Sequence, residues 1–407
     1  MNSTEQHSAR SSGPLSGIKV VEFAGLGPAP FCAMLLADLG AHVLRIDRQG
    51  PRSPGAAMFD PGKEILQRGR QVVALDLKRL EARDAALRLI GEADVLIEGF
   101  RPGIMERLGL GPERCLTANP RLIFGRITGW GQDGPLAHTA GHDINYLALS
   151  GALHAIGRRD SGPVPPLNLV ADFGGGAMLL TVGVLAALLR ARIDGKGQVV
   201  DAAMIDGCAL LEAMTLTLFS MGAWRDERQA NLLDGGTPRY DTYACADGKH
   251  VAVGALEPQF YHLLLEGLGL ADDPAMQQPD DRMRWPTQRE RIAAAFLRHP
   301  RDEWVRRFEG SDACVSPVLS LAEAPHHPHN RARGTFVTVN GLLQPAVAPR
   351  FSATPIDAPP PLPGPDAYGA SALRSWGWPE ADIQALIDQG VLCHADDSSD
   401  SQTQRSA

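Results

Sequence analysis

The stretch Ile18-Lys19-Val20-Val21-Glu22-Phe23 is followed by Gly25-Leu26-Gly27-Pro28-Ala29-Pro30, then Phe31 to Gly40, then His42-Val43-Leu44-Arg45-Ile46-Asp47. The first and last of these runs are short and rich in β-branched residues, as strands are. The residues from Phe31 repeat their apolar positions with helical spacing and close on a glycine. Strand, turn, helix, strand is the repeating unit of parallel sheets, because two parallel strands need a crossover between them. Apolar runs recur at Val72–Leu77, Val95–Ile97 and Leu122–Ile127 with helical text between them. The turn Gly195-Lys196-Gly197-Gln198 leads into another strand, Val199–Ala202, and then a long helical stretch, Met204–Trp224. The pattern predicts an α/β protein with a Rossmann-like, mainly parallel sheet.

The character changes after Asn231. Tyr240–Ala244 and His250–Val253, joined by Ala246-Asp247-Gly248, read as a hairpin, and helical segments follow through Phe308. This predicts a smaller α+β domain over residues 226–339, with the large domain formed by residues 15–225 and 340–394. Prolines cluster at Pro345–Pro365, as in an extended segment that carries the chain back, and Pro379–Val391 reads as a closing amphipathic helix. Residues 1–14 and 395–407 are polar, small-residue tails expected to be disordered.

The chain has 407 residues, 44% hydrophobic and 21% charged, which is ordinary globular composition. A net charge of −8 argues against a general nucleic-acid binder. Six cysteines are scattered without a CxxC pair, so they read as reduced thiols in a cytoplasmic protein. No apolar leader opens the sequence, and the C-terminus reads Gln-Arg-Ser-Ala, not a peroxisomal Ser-Lys-Leu. The longest strongly apolar run, Ala177–Leu189, has 13 residues; it is too short to cross a bilayer and fits a buried helix.

Several motifs invite a function and fall short of it. Gly25, Gly27 and Asp47 imitate a dinucleotide fingerprint, but Pro30 replaces the third glycine. Asp172-Phe173-Gly174 imitates a kinase triad without its catalytic loop or strand lysine. His326-His327-Pro328-His329 has broken spacing and no nearby cysteine, so a solvated loop is the better reading and no metal is expected. Arg45, Arg48, Arg68, Arg70, Lys78, Arg101 and Arg107 recur near strand ends; each alone reads as a surface charge, but as a group they suit a phosphate-bearing ligand.

The constellation with the most chemistry is Gly141-His142-Asp143 together with Asn168-Leu169-Val170-Ala171-Asp172-Phe173-Gly174-Gly175-Gly176, which sets Asp172 thirty residues after His142. Alone, His142 reads as a capping or core histidine, Asp172 as a helix cap, and Glu257 as a surface acid. Together, two proton acceptors beside a helix opening and a glycine triplet with unobstructed N–H groups suit proton removal next to a carbonyl.

Glu22-Phe23-Ala24-Gly25, Leu36-Ala37-Asp38-Leu39-Gly40-Ala41, Leu75-Asp76-Leu77-Lys78 and Gly129-Trp130-Gly131-Gln132-Asp133-Gly134-Pro135 resemble the family III CoA-transferase superfamily. Gly141-His142-Asp143-Ile144-Asn145-Tyr146, Pro166–Phe173, Leu233-Asp234-Gly235-Gly236 and Glu257-Pro258-Gln259-Phe260-Tyr261 narrow the resemblance to its α-methylacyl-CoA racemase branch. It implies racemization of 2-methylacyl-CoA thioesters by 1,1-proton transfer, with no cofactor and with CoA entering as part of the substrate. It also implies His142 and Asp172 as the two bases, Glu257 as the partner that orients His142, and Asn168 as a donor to the thioester oxygen. CoA contacts are implied at Arg48, Leu75, Asp76, Leu77, Lys78, Gly99, Phe100, Arg101, Arg107, Gly141, His142, Asp143, Ile144, Asn145 and Tyr146, which makes the large domain the CoA-binding one. Transferase members usually carry tyrosine where His142 stands and use the aspartate as a nucleophile, which is the alternative reading. The resemblance further implies an interlocked homodimer, with no nucleic-acid or membrane partner.

Overall fold

The computed structural model describes residues 13–50 and 54–392. The tail before Gly13, the tail 395–407 and Cys393 lie outside the described residues. The chain forms two compact units, one from residues up to 147, 168–210 and 334 onward, the other from 148–167 and 211–333. The second therefore takes in residues 148–167 and 211–225, which the sequence pattern had put with the large domain. For residues 148–167 the reason is non-local: beyond the short local ladder of Gly157–Arg158 with Gly162–Pro163, the Arg158 guanidinium binds Asp241 and donates to Thr242 Oγ1 at 2.9 Å.

In the first unit β1 (Lys19–Phe23), β2 (His42–Arg48), β3 (Arg70–Leu75), β4 (Val95–Glu98), β5 (Ile123–Thr128) and β6 (Gln198–Ala203) make one sheet. Every pairing is parallel and the order is β3-β2-β1-β4-β5-β6. The order reverses between β1 and β4, so a crevice opens at their carboxyl ends, where α/β sheets take ligands. The strands are near-continuous apolar runs because helices cover both faces. One face packs Val21, Phe23, Leu44, Ile46, Leu96 and Phe124 against α2 (Leu80–Gly91) and the C-terminal helices Ala370–Trp376 and Glu380–Asp388.

The other face carries α1 (Pro28–Asp38). It begins three residues before the expected Phe31. Prolines that looked like stiffeners of the preceding turn form its first turn, where a missing N–H costs nothing. Gly27, at φ 70°, turns the chain into it.

A ten-residue π-helical segment, Leu169–Met178, runs directly into α4 (Leu179–Asp194). The whole 26-residue run is long and apolar enough to cross a membrane by length and composition, unlike the 13-residue stretch read from sequence. Here Leu180, Val184, Ala187 and Ala191 are buried, and the helix packs on β5 and β6.

The glycine triplet does not present free N–H groups. Gly175 and Gly176 are buried, and the segment lies backbone-to-backbone on α5 (Met204–Leu211). A Cβ on Gly207 would sit 1.8 Å from the Gly175 carbonyl oxygen.

The second unit holds an antiparallel sheet of β7 (Tyr240–Ala244), β8 (His250–Gly254) and β9 (Val315–Pro317). Tyr243, Val251, Val253, Leu264, Phe296 and Trp304 fill its core. The described cysteines are thiols not joined in disulfides: Cys32, Cys115, Cys208 and Cys245 are buried and Cys314 is exposed.

Three of the arginines read as phosphate ligands are buried instead. Arg70 Nε meets Glu22 Oε2 at 2.9 Å with both side chains fully buried, and its other nitrogens donate to the carbonyls of Arg68 and Pro30. Arg68 binds Asp38 and donates to Gln344 Oε1 and the Pro345 carbonyl. Arg45 donates to Gln67 and to Asp47. Removing one partner of a buried pair leaves an uncompensated charge, a cost of about 3–5 kcal/mol. Arg70→Met is therefore expected to lower the urea midpoint by that amount of stability, and an unchanged midpoint would contradict the assignment.

Candidate active site

The carboxyl end of β1 delivers the turn through Gly27, and Asp172 lies over it. A Cβ at Gly27 would stand 3.4 Å from Asp172 Oδ2, an ordinary contact, so it is the φ of 70° that calls for glycine here while the carboxylate packs on the turn. Asp172 sits on the π-helical segment, a distortion that recurs at functional sites. Asn168, at the N-cap position of that segment, donates from Nδ2 to Asp172 Oδ2 at 3.2 Å. That donor engages the carboxylate, a contact the resemblance had not specified.

His142 caps α3 (Asp143–Ser150). Its N–H donates to Asn145 Oδ1 at 3.0 Å, and the Asn145 N–H returns a bond to its carbonyl at 2.8 Å. This reciprocal cap fixes the His142 backbone while the side chain stays exposed. The next residue reaches across to the second element. Asp143 Oδ2 accepts from the N–H groups of Ala171 at 2.8 Å and Asp172 at 2.7 Å. Sequence reasoning gave Asp143 a CoA contact and missed this bond, which joins residues 28 and 29 positions apart; no local signal announces it.

Tyr146 packs edge-on against Trp130, ring centroids 4.7 Å apart. Gly129 and Gly141 make room for it: a Cβ at either would fall 2.0 or 2.7 Å from its ring.

The electrostatics bind these groups into one cluster. Burial raises the Asp172 carboxyl above its ordinary value; the Asn168 hydrogen bond opposes this, the Asp143 charge adds to it, and His142 opposes it. Burial pushes the Tyr146 phenol up to about 12, with the Asp172 charge raising it and Arg101 lowering it.

The remaining expected positions divide. Arg48, Lys78, Arg101 and Arg107 are exposed and stand at or just beyond the carboxyl ends of β2, β3 and β4. Asp76 and Leu77 lie half-buried at the β3 end, and Ile144 and Asn145 are exposed in the first turn of α3. Gly99 is exposed after β4. The Leu75 side chain is in the core, and Phe100 packs against that core near Phe23, so at these two positions a ligand contact would fall to the backbone. Glu257 belongs to the second unit, exposed at the N-cap of the helix Pro258–Leu268. His326 ends a short 3-10 turn and His329 lies in the helix Pro328–Arg333. Among the described residues no group of three or more His, Cys, Asp or Glu is placed to hold a metal ion.

The model of CoA-transferase family III matches residues 15–367. The chain belongs to that family. Two relatives in the family are α-methylacyl-CoA racemases. The mouse protein is 46% identical over 382 residues, covering 93% of this chain and 97% of its own. The human protein is 47% identical over 344 residues, covering 84% and 87%. A CAIB/BAIF family protein from Brucella suis superposes with a TM-score of 0.74 over 89% of this chain and 99% of its own; at 24% identity it speaks for the fold.

If Asn168 steadies the ionised carboxylate, its loss must raise the Asp172 pKa further. Asn168→Ala is expected to move the titration of the Asp172 carboxyl to higher pH, read by 13C NMR of aspartate-labelled protein. A shift to lower pH would show that the amide does not serve the carboxylate.

Proposed function

We propose that this family III protein is an isomerase that racemizes 2-methylacyl-CoA thioesters by 1,1-proton transfer. The observation that carries the reading is a histidine, not a tyrosine, one residue before the aspartate that holds the Asp172 backbone. Two basic side chains, on different elements, thus share one cluster. The identity to racemases from mouse and human over most of the chain supports the same reading.

The chemistry follows from the groups present. One base takes the α-proton, and the C–H electron pair becomes the enolate double bond as charge moves to the thioester oxygen. The other base then gives a proton to the opposite face of the α-carbon. No atom or electron is gained, so proton transfer alone completes the reaction. The first N–H groups of α3 and the dipole of that helix suit the developing oxyanion; one such donor is typically worth about 3–4 kcal/mol. Arg48, Lys78, Arg101 and Arg107 would take the CoA phosphates at the sheet's carboxyl edge.

A single enantiomer of a 2-methylacyl-CoA in D2O is expected to lose its α-proton NMR signal and its optical purity together, without an added acid acceptor. Each single substitution, His142→Ala or Asp172→Ala, should slow this by about 10²–10⁴-fold. No exchange, with CoA passing to a supplied free acid and a hydroxylamine-sensitive acyl-enzyme, would make Asp172 a nucleophile instead.

A homodimer is part of the same proposal. The outer face of α4 leaves Val182, Leu189 and Ile193 more than 60% exposed, and in the second unit Leu216, Phe219 and Met221 are more than half exposed. Contiguous apolar faces of this kind mark association surfaces. Sedimentation equilibrium is expected to return the mass of two chains, and a single-chain mass at micromolar concentration would remove this part of the proposal.

A further inference from the structure

We infer that Asp143 is a positioning residue that ties the two bases together: its peptide follows His142, and its carboxylate holds the backbone of Asp172. This rests on the racemase reading for its activity arm. Asp143 is 6% exposed, so its bonds to Ala171 N–H and Asp172 N–H are shielded from water. Its other oxygen, Oδ1, is buried with no hydrogen-bond partner. A buried carboxylate left half-satisfied is costly, and the fold keeps it where its bonds join α3 to the segment bearing Asp172.

The two N–H groups it accepts from open the π-helical segment, where the segment itself supplies no acceptors. One charged oxygen therefore serves three ends at once: it caps the segment, fixes the φ/ψ of Asp172 at its own peptide, and anchors that peptide to the residue after His142. Proton transfer between a bound carbon and two bases depends steeply on placement, and a misplacement of about 1 Å can cost on the order of 10²-fold. Asp143 also adds negative charge beside Asp172. The charged and titratable groups that face Asp172 are Asp143, His142, Tyr146 and, through Tyr146, Arg101.

Asp143→Asn and Asp143→Ala separate the two roles. Asparagine keeps an oxygen to accept both N–H bonds and loses the charge; alanine loses both. In the exchange assay with purified, folded protein, Asp143→Ala is expected to lose about 10²-fold in kcat, with the loss in kcat rather than KM. Asp143→Asn should restore most of that loss, with its acid limb at lower pH because the like charge beside Asp172 is gone. A second readout needs no activity. The Asp172 carboxyl, assigned by Asp172→Asn in 13C-aspartate-labelled protein, is expected to titrate at lower pH in Asp143→Asn than in the unsubstituted chain. If Asp143→Ala keeps full kcat, or Asp143→Asn is as impaired as Asp143→Ala with the Asp172 titration unmoved, the inference is wrong. If the unsubstituted chain shows no exchange, the racemase reading fails while the titration still decides whether Asp143 governs Asp172.

Discussion

The contact between Gly175 and Gly207 sets the height of everything above the sheet. With the carbonyl oxygen of one where the Cβ of the other would stand, the π-helical segment and α5 approach to backbone distance. Any side chain there would lift the segment away from β5 and β6. A glycine triplet that reads as a set of unobstructed N–H donors is thus a packing device, and its chemical consequence lies three residues earlier. Lowering the segment brings Asp172 down onto the Gly27 turn at the point where the strand order reverses.

From that constraint the rest follows in sequence. Gly27, at a φ of 70°, makes the turn on which the carboxylate rests. Gly129 and Gly141 let Tyr146 and Trp130 pack beneath α3, which places His142 at the lip of the crevice. Asp143 then connects α3 to the lowered segment. Arg45 and Arg70 on the strands and Arg68 just before β3 are buried and spent on Gln67, Asp47, Glu22 and Asp38. The cations left exposed near the crevice are those beyond the strand ends, so the sheet sorts its arginines by depth into structural and ligand-facing ones.

The parallel sheet was legible because its strands are apolar runs with helices between them, and that periodicity is local. Where distant partners decide, the sequence misleads. β3 begins at Arg70, ahead of the apolar run, because Arg70 pairs with Glu22 inside the sheet. β9 is three residues long and exists through its register with Val251–Val253. One miss had a local signal: Asn340-Gly341, both at positive φ, joins Phe336–Val339 to Leu342–Pro345, and Asn-Gly is the strongest short hairpin dipeptide. At the site, His142 and Asp172 could be named from residue type and resemblance. The carboxylate of Asp143 could not, because a helix-opening aspartate looks the same whether it caps its own helix or another.

Two bases that exchange roles with the enantiomer work best when neither holds its proton much more tightly than the other. Carboxylates ordinarily titrate about two units below imidazoles. Burial and the neighbouring Asp143 charge push the Asp172 carboxyl upward from the ordinary carboxylate range, in the direction that suits a general base. The tyrosine beside Asp172 offers no second base, since a phenol is already protonated near neutral pH and burial here only strengthens its hold on the proton. Tyr146, with its phenol pushed up to about 12, stays protonated near neutral pH and cannot accept a proton there. In this cluster the environment raises both the Asp172 carboxyl and the Tyr146 phenol, and the proposed pair, His142 with Asp172, draws its two bases from different elements.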